Sequence, residues 1–220
     1  RYDFNQNFWI DASFSDEDKI SKFINFNSES KYLYKTYSTT LNYRDDILKV
    51  SSGIDGFKGD KIDSTDNTTK DNIAGFASLE VSATDDLTFS TGFRRENVEY
   101  KYEPLVGNNL KQDNYLNAYD FGVNYSLTEN QSIFANYNRS FQAPTIERFF
   151  SKDYSNWPNV STKFNDFILP TKVNNFTVGY NNIQENNKLK VSLFRANLKN
   201  EMYTDPTSWE STNIDKSHKY

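Results

Sequence analysis

His218 is the only imidazole among 220 residues, and cysteine is absent. A Ser-His-Asp relay would have to use that single histidine, close to the last residue, and a Cys- or His-rich metal site lacks ligands. The acidic pairs Asp45/Asp46 and Asp85/Asp86 stand in turn-like stretches, where solvation accounts for them. The calcium-loop pattern D-x-[DN]-x-[DN]-G does not occur, and Gly56 and Gly59 form no phosphate cradle. These residues describe no enzyme and call for no cofactor. Binding chemistry is better supplied. Arg148, Phe149, Phe150, Tyr154 and Trp157 crowd one long polar stretch, and Trp209 stands in a later one. Aromatic rings with a polar handle pack flat ligands at small entropic loss, and a guanidinium attracts anionic groups. The plainer alternative is that the same rings brace their loops or form an aromatic girdle.

Elements that could hold such loops are visible in the composition. Phe, Tyr and Trp number 18, 15 and 3, and Asn, Ser, Thr and Asp fill much of the rest. Aromatic side chains suit a pleated surface, and Asn and Asp suit turns, so the chain reads as all-β. The 25 basic and 30 acidic side chains leave a net charge of −5, which argues against a nucleic-acid partner. No apolar run approaches the roughly 18 residues of a membrane helix, and RYDFNQNFWI lacks the form of a signal peptide.

Ten alternating segments are expected, near 8–15, 32–43, 47–57, 72–83, 87–103, 115–127, 132–141, 172–182, 188–203 and 213–220. TIERFF could form a single helical turn. Short turns (YRDDI, SATDDL, SLTENQ, NIQENNK) alternate with long polar stretches beginning at Asp16, Lys58, Glu103, Gln142 and Thr204. In an up-and-down meander, that alternation places all short turns at one rim and all long loops at the other, as in outer-membrane barrels. The faces agree. Tyr119, Phe121, Val123, Tyr125 and Leu127 alternate with Asp120, Gly122, Asn124 and Ser126; Phe176, Val178 and Tyr180 alternate with Asn175, Thr177, Gly179 and Asn181. A charge-free face of about five alternate positions fits a tilted strand crossing hydrocarbon, with the polar face lining water. A one-sided soluble sheet shares the alternation but not the loop asymmetry. Two segments are less regular: 132–141 mixes Phe134 with Asn136 and Asn138, and 188–203 shifts its pattern after Leu193.

Residues 137–150, YNRSFQAPTIERFF, resemble the strand-to-loop signature YSRSFRAPTLNELF of TonB-dependent outer-membrane receptors. NDFILPTKVNNFTVGYNN is similar to their NPDLKPEKSDNYELGYKY segment, with Asn165, Pro170, Lys172, Asn175, Gly179 and Tyr180 in register. KLKVSLFRANLKNEMY, DLTFSTGFRRENVEY and the final SHKY resemble further barrel strands of that family. Matches lie in order over residues 72–220, and the first third fits by pattern alone. Gln142 and Thr171 replace the usual Arg and Glu, and Asp166 stands where Pro is common.

The resemblance implies an antiparallel up-and-down transmembrane β-barrel, with about ten strands here of the family's roughly 22. Signal peptide, plug domain and terminal strands would then lie outside residues 1–220. It implies a receptor that imports a scarce metal chelate, foremost a ferric siderophore, in contact with outer-membrane lipid. The inner-membrane TonB complex would supply the energy through the missing N-terminal region. Haem and cobalamin are the rival cargoes; residues 145–164 contain no histidine, where haem-receptor relatives often place a ligand. Among the motif residues, Phe141, Ala143, Pro144, Pro170, Gly179 and Tyr180 are expected to be structural. Pro144 lacks an N–H donor and suits the point where ladder pairing ends. Two other classes stay open: a soluble β-rich module that stacks carbohydrate on Tyr and Trp, and a passive porin or small complete barrel.

Overall fold

Alternation becomes pairing along almost the whole chain. A computed structural model describes residues 1–23, 28–153, 155 and 161–220. Its strands are β1 (Tyr2–Asp3), β2 (Phe8–Phe23), β3 (Ser28–Arg44), β4 (Leu48–Ile62), β5 (Asp66–Ser82), β6 (Leu87–Pro104), β7 (Leu110–Thr128), β8 (Gln131–Gln142), β9 (Phe150–Asp153), β10 (Ser161–Phe164), β11 (Thr171–Ile183), β12 (Lys188–Thr204) and β13 (Ser211–Lys219). Eleven of them form one antiparallel sheet in the order β1 to β8, then β11, β12 and β13; β9 and β10 pair separately within the connection between β8 and β11. All ten expected segments are strands, and the two-residue β1 and the small hairpin are additional.

Two of the short turns show how side chains close them. Asp45 accepts from the N–H groups of Ile47 (2.9 Å) and Leu48 (2.6 Å), and Thr84 Oγ1 accepts from Asp86 (3.3 Å) and Leu87 (3.1 Å). Such local bonds satisfy backbone donors where the ladder reverses.

The opposite ends differ from expectation. Stretches read as long loops continue as paired strand: β2 and β3 stay in register out to Phe23↔Ser28, and β4 and β5 out to Ile62↔Asn67. Here both faces carry polar residues, so the two-residue period disappears although the backbone ladder persists. Cross-strand ion pairs Lys35–Asp16 (3.7 Å), Lys31–Asp18 (3.6 Å) and Lys22–Glu29 (2.9 Å) line that extension.

Register assigns every side chain to a face. Val81, Phe89, Val123, Ala135, Val178 and Leu193 fall in one cross-strand row, and Leu79, Thr91, Phe121, Tyr137 and Phe176 in the next. These rows do not converge on a packed centre. Phe89, Phe121, Phe176 and Leu193 are 48, 56, 50 and 73 % exposed, with no second layer of described residues against them. The buried apolar residues lie on the other face, beneath the connection between β8 and β11.

Both irregular segments have a physical cause. Phe134 turns to the polar face because Gly179 leaves room for its ring: a Cβ on Gly179 would lie 2.4 Å from Phe134 Cζ. The pattern shift after Leu193 is not a break in pairing, because β11 and β12 stay in register from Ile183↔Lys188 to Lys172↔Lys199. The residue types change instead, Phe194 joining the polar face and Arg195 the apolar one. Asn200, with φ of 54°, is where the later irregularity falls.

Candidate functional site

β8 ends at Gln142, and the chain folds over the polar face of β5 to β7. Pro144 is the anchor. It is fully buried, and its carbonyl accepts from the Tyr100 hydroxyl (2.8 Å) and from Lys70 Nζ (3.0 Å). The expected one-turn helix follows as a 3-10 turn at Ile146–Phe149, with Ile146 and Phe149 buried. Phe149 meets Tyr100 and Phe167 edge-on at centroid distances of 4.9 and 5.1 Å. Phe164 stacks on Tyr102 at 3.8 Å, and Phe150 packs edge-on against Phe164. Lys61 Nζ lies 3.9 Å above the Phe150 ring and pairs with Asp63. With Val98, Leu116 and Ile168 these groups make the cluster that docks the connection on the wall.

Below that cluster the wall is charged. The Arg94 guanidinium donates to both Asp55 oxygens (2.6 and 2.8 Å) and to Glu96, which also accepts from Asn72 (3.0 Å). A bidentate guanidinium–carboxylate pair fixes geometry as well as charge. The network crosses β4, β5 and β6 and ties the wall together at the level where the connection docks. The Arg94 donors are committed to Asp55 and Glu96 within this network.

The residues singled out for binding are not gathered in one place. Phe149 and Phe150 lie inside the docking cluster. Arg148 donates to Thr204 Oγ1 (3.2 Å), which links the connection to β12. Trp209, 55 % exposed, sits in the β12–β13 connection with Lys152 Nζ 5.9 Å from its ring. Its φ of 60° is uncommon for a bulky residue. Asp205 holds that turn, accepting from the N–H groups of Thr207 (2.7 Å) and Ser208 (2.9 Å), and these bonds, Ser208 foremost, keep its carboxyl below its usual range. Tyr154 and Trp157 lie outside the described residues.

Of the motif residues, Pro144 and Pro170 are buried, and Phe141 and Ala143 pack against the cluster. Gly179 makes space for Phe134, and Tyr180 lines a groove on the apolar face. Lys61, Lys70, Glu96, Val98 and Tyr100 were not foreseen. A signal existed: in RENVEYKY, Val98, Tyr100 and Tyr102 continue the face that carries Arg94 and Glu96, so apolar residues change sides at that point.

A family profile described as TonB dependent receptor-like, beta-barrel matches residues 1–220. The TonB-dependent heme receptor A of Haemophilus influenzae is 28 % identical over 134 residues, 53 % of this chain and 18 % of that protein. Among solved structures, the ferric-catecholate import receptor Fiu of E. coli K12 is similar with a TM-score of 0.64 and 16 % identity, covering 98 % of this chain and 42 % of that one. The copper transporter OprC is similar with a TM-score of 0.69 and 15 % identity, covering 99 % and 40 %. The chain thus spans 18 % of the curated relative and about four-tenths of these structures. One antiparallel up-and-down sheet, its polar face under a latched connection and its apolar face uncovered, agrees with the profile match: the chain belongs to the TonB-dependent receptor β-barrel family.

Proposed function

We propose that the chain is part of an outer-membrane receptor that imports a scarce metal chelate, a ferric siderophore, with energy drawn from a TonB complex. The observation that supports this most is the division of the wall: rows of exposed apolar side chains on one face, with Arg195 interrupting them and Arg95, Arg139 and Lys172 at their edge, and on the other a charged network capped by a folded connection. The apolar face then meets lipid, where a Lys or Arg at mid-depth would cost about 2–4 kcal/mol. The polar face borders the interior. The family is one of transporters.

Arg148 and Trp209 supply the first contacts with an anionic, ring-bearing chelate. Trp209 is exposed and its turn is fixed by Asp205, so little freedom is lost when it stacks. Phe149 and Phe150 meet cargo only after the Pro144 latch opens, and cargo must therefore bind the open form more tightly than the docked one.

Haem is the second reading, favoured by the similarity to heme receptor A. Against it stands the chain's single histidine, His218, which bonds Asn197 Oδ1 at 2.8 Å. Growth of a strain lacking the full-length gene on defined iron sources separates the cargoes. Loss of growth on one ferric siderophore supports the assignment. Loss on haem alone replaces it, and unaltered uptake of siderophores, haem and cobalamin removes the iron reading.

A further inference from the structure

The ladder between β7 and β8 stops at Tyr119↔Arg139, three residues before β8 ends, and the two strands part. At that fork the outer, apolar face opens into a cleft of about 360 Å³ whose lining includes Arg95, Arg139, Lys172, Tyr115, Tyr119 and Phe141. Arg95 pairs across to Asn117 on β7 and Lys172 to Phe141 on β8, on the two sides of the fork and each two residues beyond the Tyr119↔Arg139 pair, so three cations from three strands line it. Arg139 also lies 6.0 Å from the Tyr119 ring. No ion pair among the described residues uses any of the three. Glu96, next to Arg95, points to the other face and is held by Arg94; the nearest acid on the same face of β6, Glu99, is about 13 Å away at 3.3 Å per residue and is already held by Lys101 (2.6 Å) and Lys111 (2.5 Å).

Directly along the same strands, toward the short turns, the face forms an apolar groove of about 550 Å³. Val123, Tyr125, Ile133, Val178, Val191 and Leu193 are among its lining residues. From Arg139 to Ala135 in that groove is about 13 Å of strand. Cations at the edge of the apolar band, with an apolar groove further along the same strands beyond the Phe121–Tyr137–Phe176 row, match the two ends of one amphiphile. The transport reading gives this side of the wall contact with lipid but no specific ligand.

We propose that this cleft and groove bind a phosphate-bearing anionic lipid of the outer leaflet, its phosphate held by Arg95, Arg139 and Lys172 and an acyl chain lying in the groove. The inference rests on the membrane insertion proposed for this chain. Guanidinium groups bind phosphate oxygens through paired N–H donors, and each basic group near an anionic surface contributes about fivefold.

The test uses the full-length receptor, extracted from outer membranes in mild detergent, with native mass spectrometry of bound diphosphoryl lipid A. The Arg95→Gln/Arg139→Gln/Lys172→Gln variant should bind it about 100-fold more weakly. A Lys188→Gln control, at the opposite rim, should bind normally, and dephosphorylated lipid A should bind both variants weakly. Equal binding by the triple variant overturns the site, as does indifference to the phosphates or inorganic phosphate binding as tightly as lipid A. A receptor that is soluble without detergent instead refutes membrane insertion, whereas an inserted, heat-modifiable triple variant with unchanged lipid refutes this site alone.

Discussion

Replacing Phe149 with alanine tests whether this ring is a brace or a cargo contact. The side chain is fully buried and meets two aromatic rings edge-on. Truncating a buried Phe costs about 3–5 kcal/mol, which includes about 0.5–1.5 kcal/mol for each aromatic pair. The loss falls on docking of the 143–170 connection, because Phe149 belongs to no strand of the main sheet. The open form should therefore gain about two to three and a half orders of magnitude in population. Hydrogen exchange of amides in that connection, followed in the full-length receptor, reads this directly. The sheet amides and the heat-induced gel shift should stay as in the parent, and Phe149→Leu should give a smaller change. Undiminished protection together with lost cargo affinity would refute the reasoning and make the ring a ligand contact. Equal loss of protection in the sheet would show that the connection does not open by itself.

The two donors on the Pro144 carbonyl should couple. Tyr100→Phe and Lys70→Met each remove one bond, at about 0.5–1.5 kcal/mol, while the pair leaves a buried acceptor unsatisfied for about 1–3 kcal/mol. A double-mutant cycle on the opening free energy should show coupling of about 1 kcal/mol or more, and additivity within about 0.5 kcal/mol contradicts the latch. Gly179→Ala should impair barrel assembly, since its Cβ would sit 2.4 Å from the Phe134 ring and 2.8 Å from the Val191 carbonyl oxygen. Adding Phe134→Ala should relieve only part of the defect, read by heat-modifiable mobility. At the short-turn rim, the Tyr43 hydroxyl and the N–H groups of Leu48 and Ile47 hold the Asp45 carboxyl below 3.8. Its folded-state value is depressed, so its contribution is complete above 3.8 and lost as pH falls through the lower folded value. Turn amide shifts in NMR should move only in that acid range, and movement at higher pH would contradict the bonding.

What the sequence conveyed depended on how many environments each strand meets. Where one face is apolar and the other polar, as in Leu87–Phe93 and Phe121–Leu127, alternation specified strand, face and register together. Above that zone both faces meet water or another protein segment, and the period no longer reports the strand. Asp16–Lys22 and Glu29–Ser30 were therefore read as loop, although their backbones pair throughout. The docking surface was half legible: Val98 and Tyr100 broke the polar pattern, but their partners lie in a connection with no period. Arg95, Arg139 and Lys172 are far apart in sequence, and only cross-strand register brings them together. The Ala-Pro of the loop signature was legible as a stop to pairing, because proline lacks a donor; that its carbonyl is the anchor needed the positions of Lys70 and Tyr100.

The claim on which the account depends is that the uncovered face of the sheet contacts hydrocarbon. Environment-sensitive labels on cysteines introduced at Phe121 and Val178, and on the other face at Asn136 and Thr177, test it in full-length receptor reconstituted into bilayers. Lipid-borne quenchers should reach the first pair alone, and water-soluble quenchers the second pair. Quenching of all four from water, or of none from lipid, would contradict it.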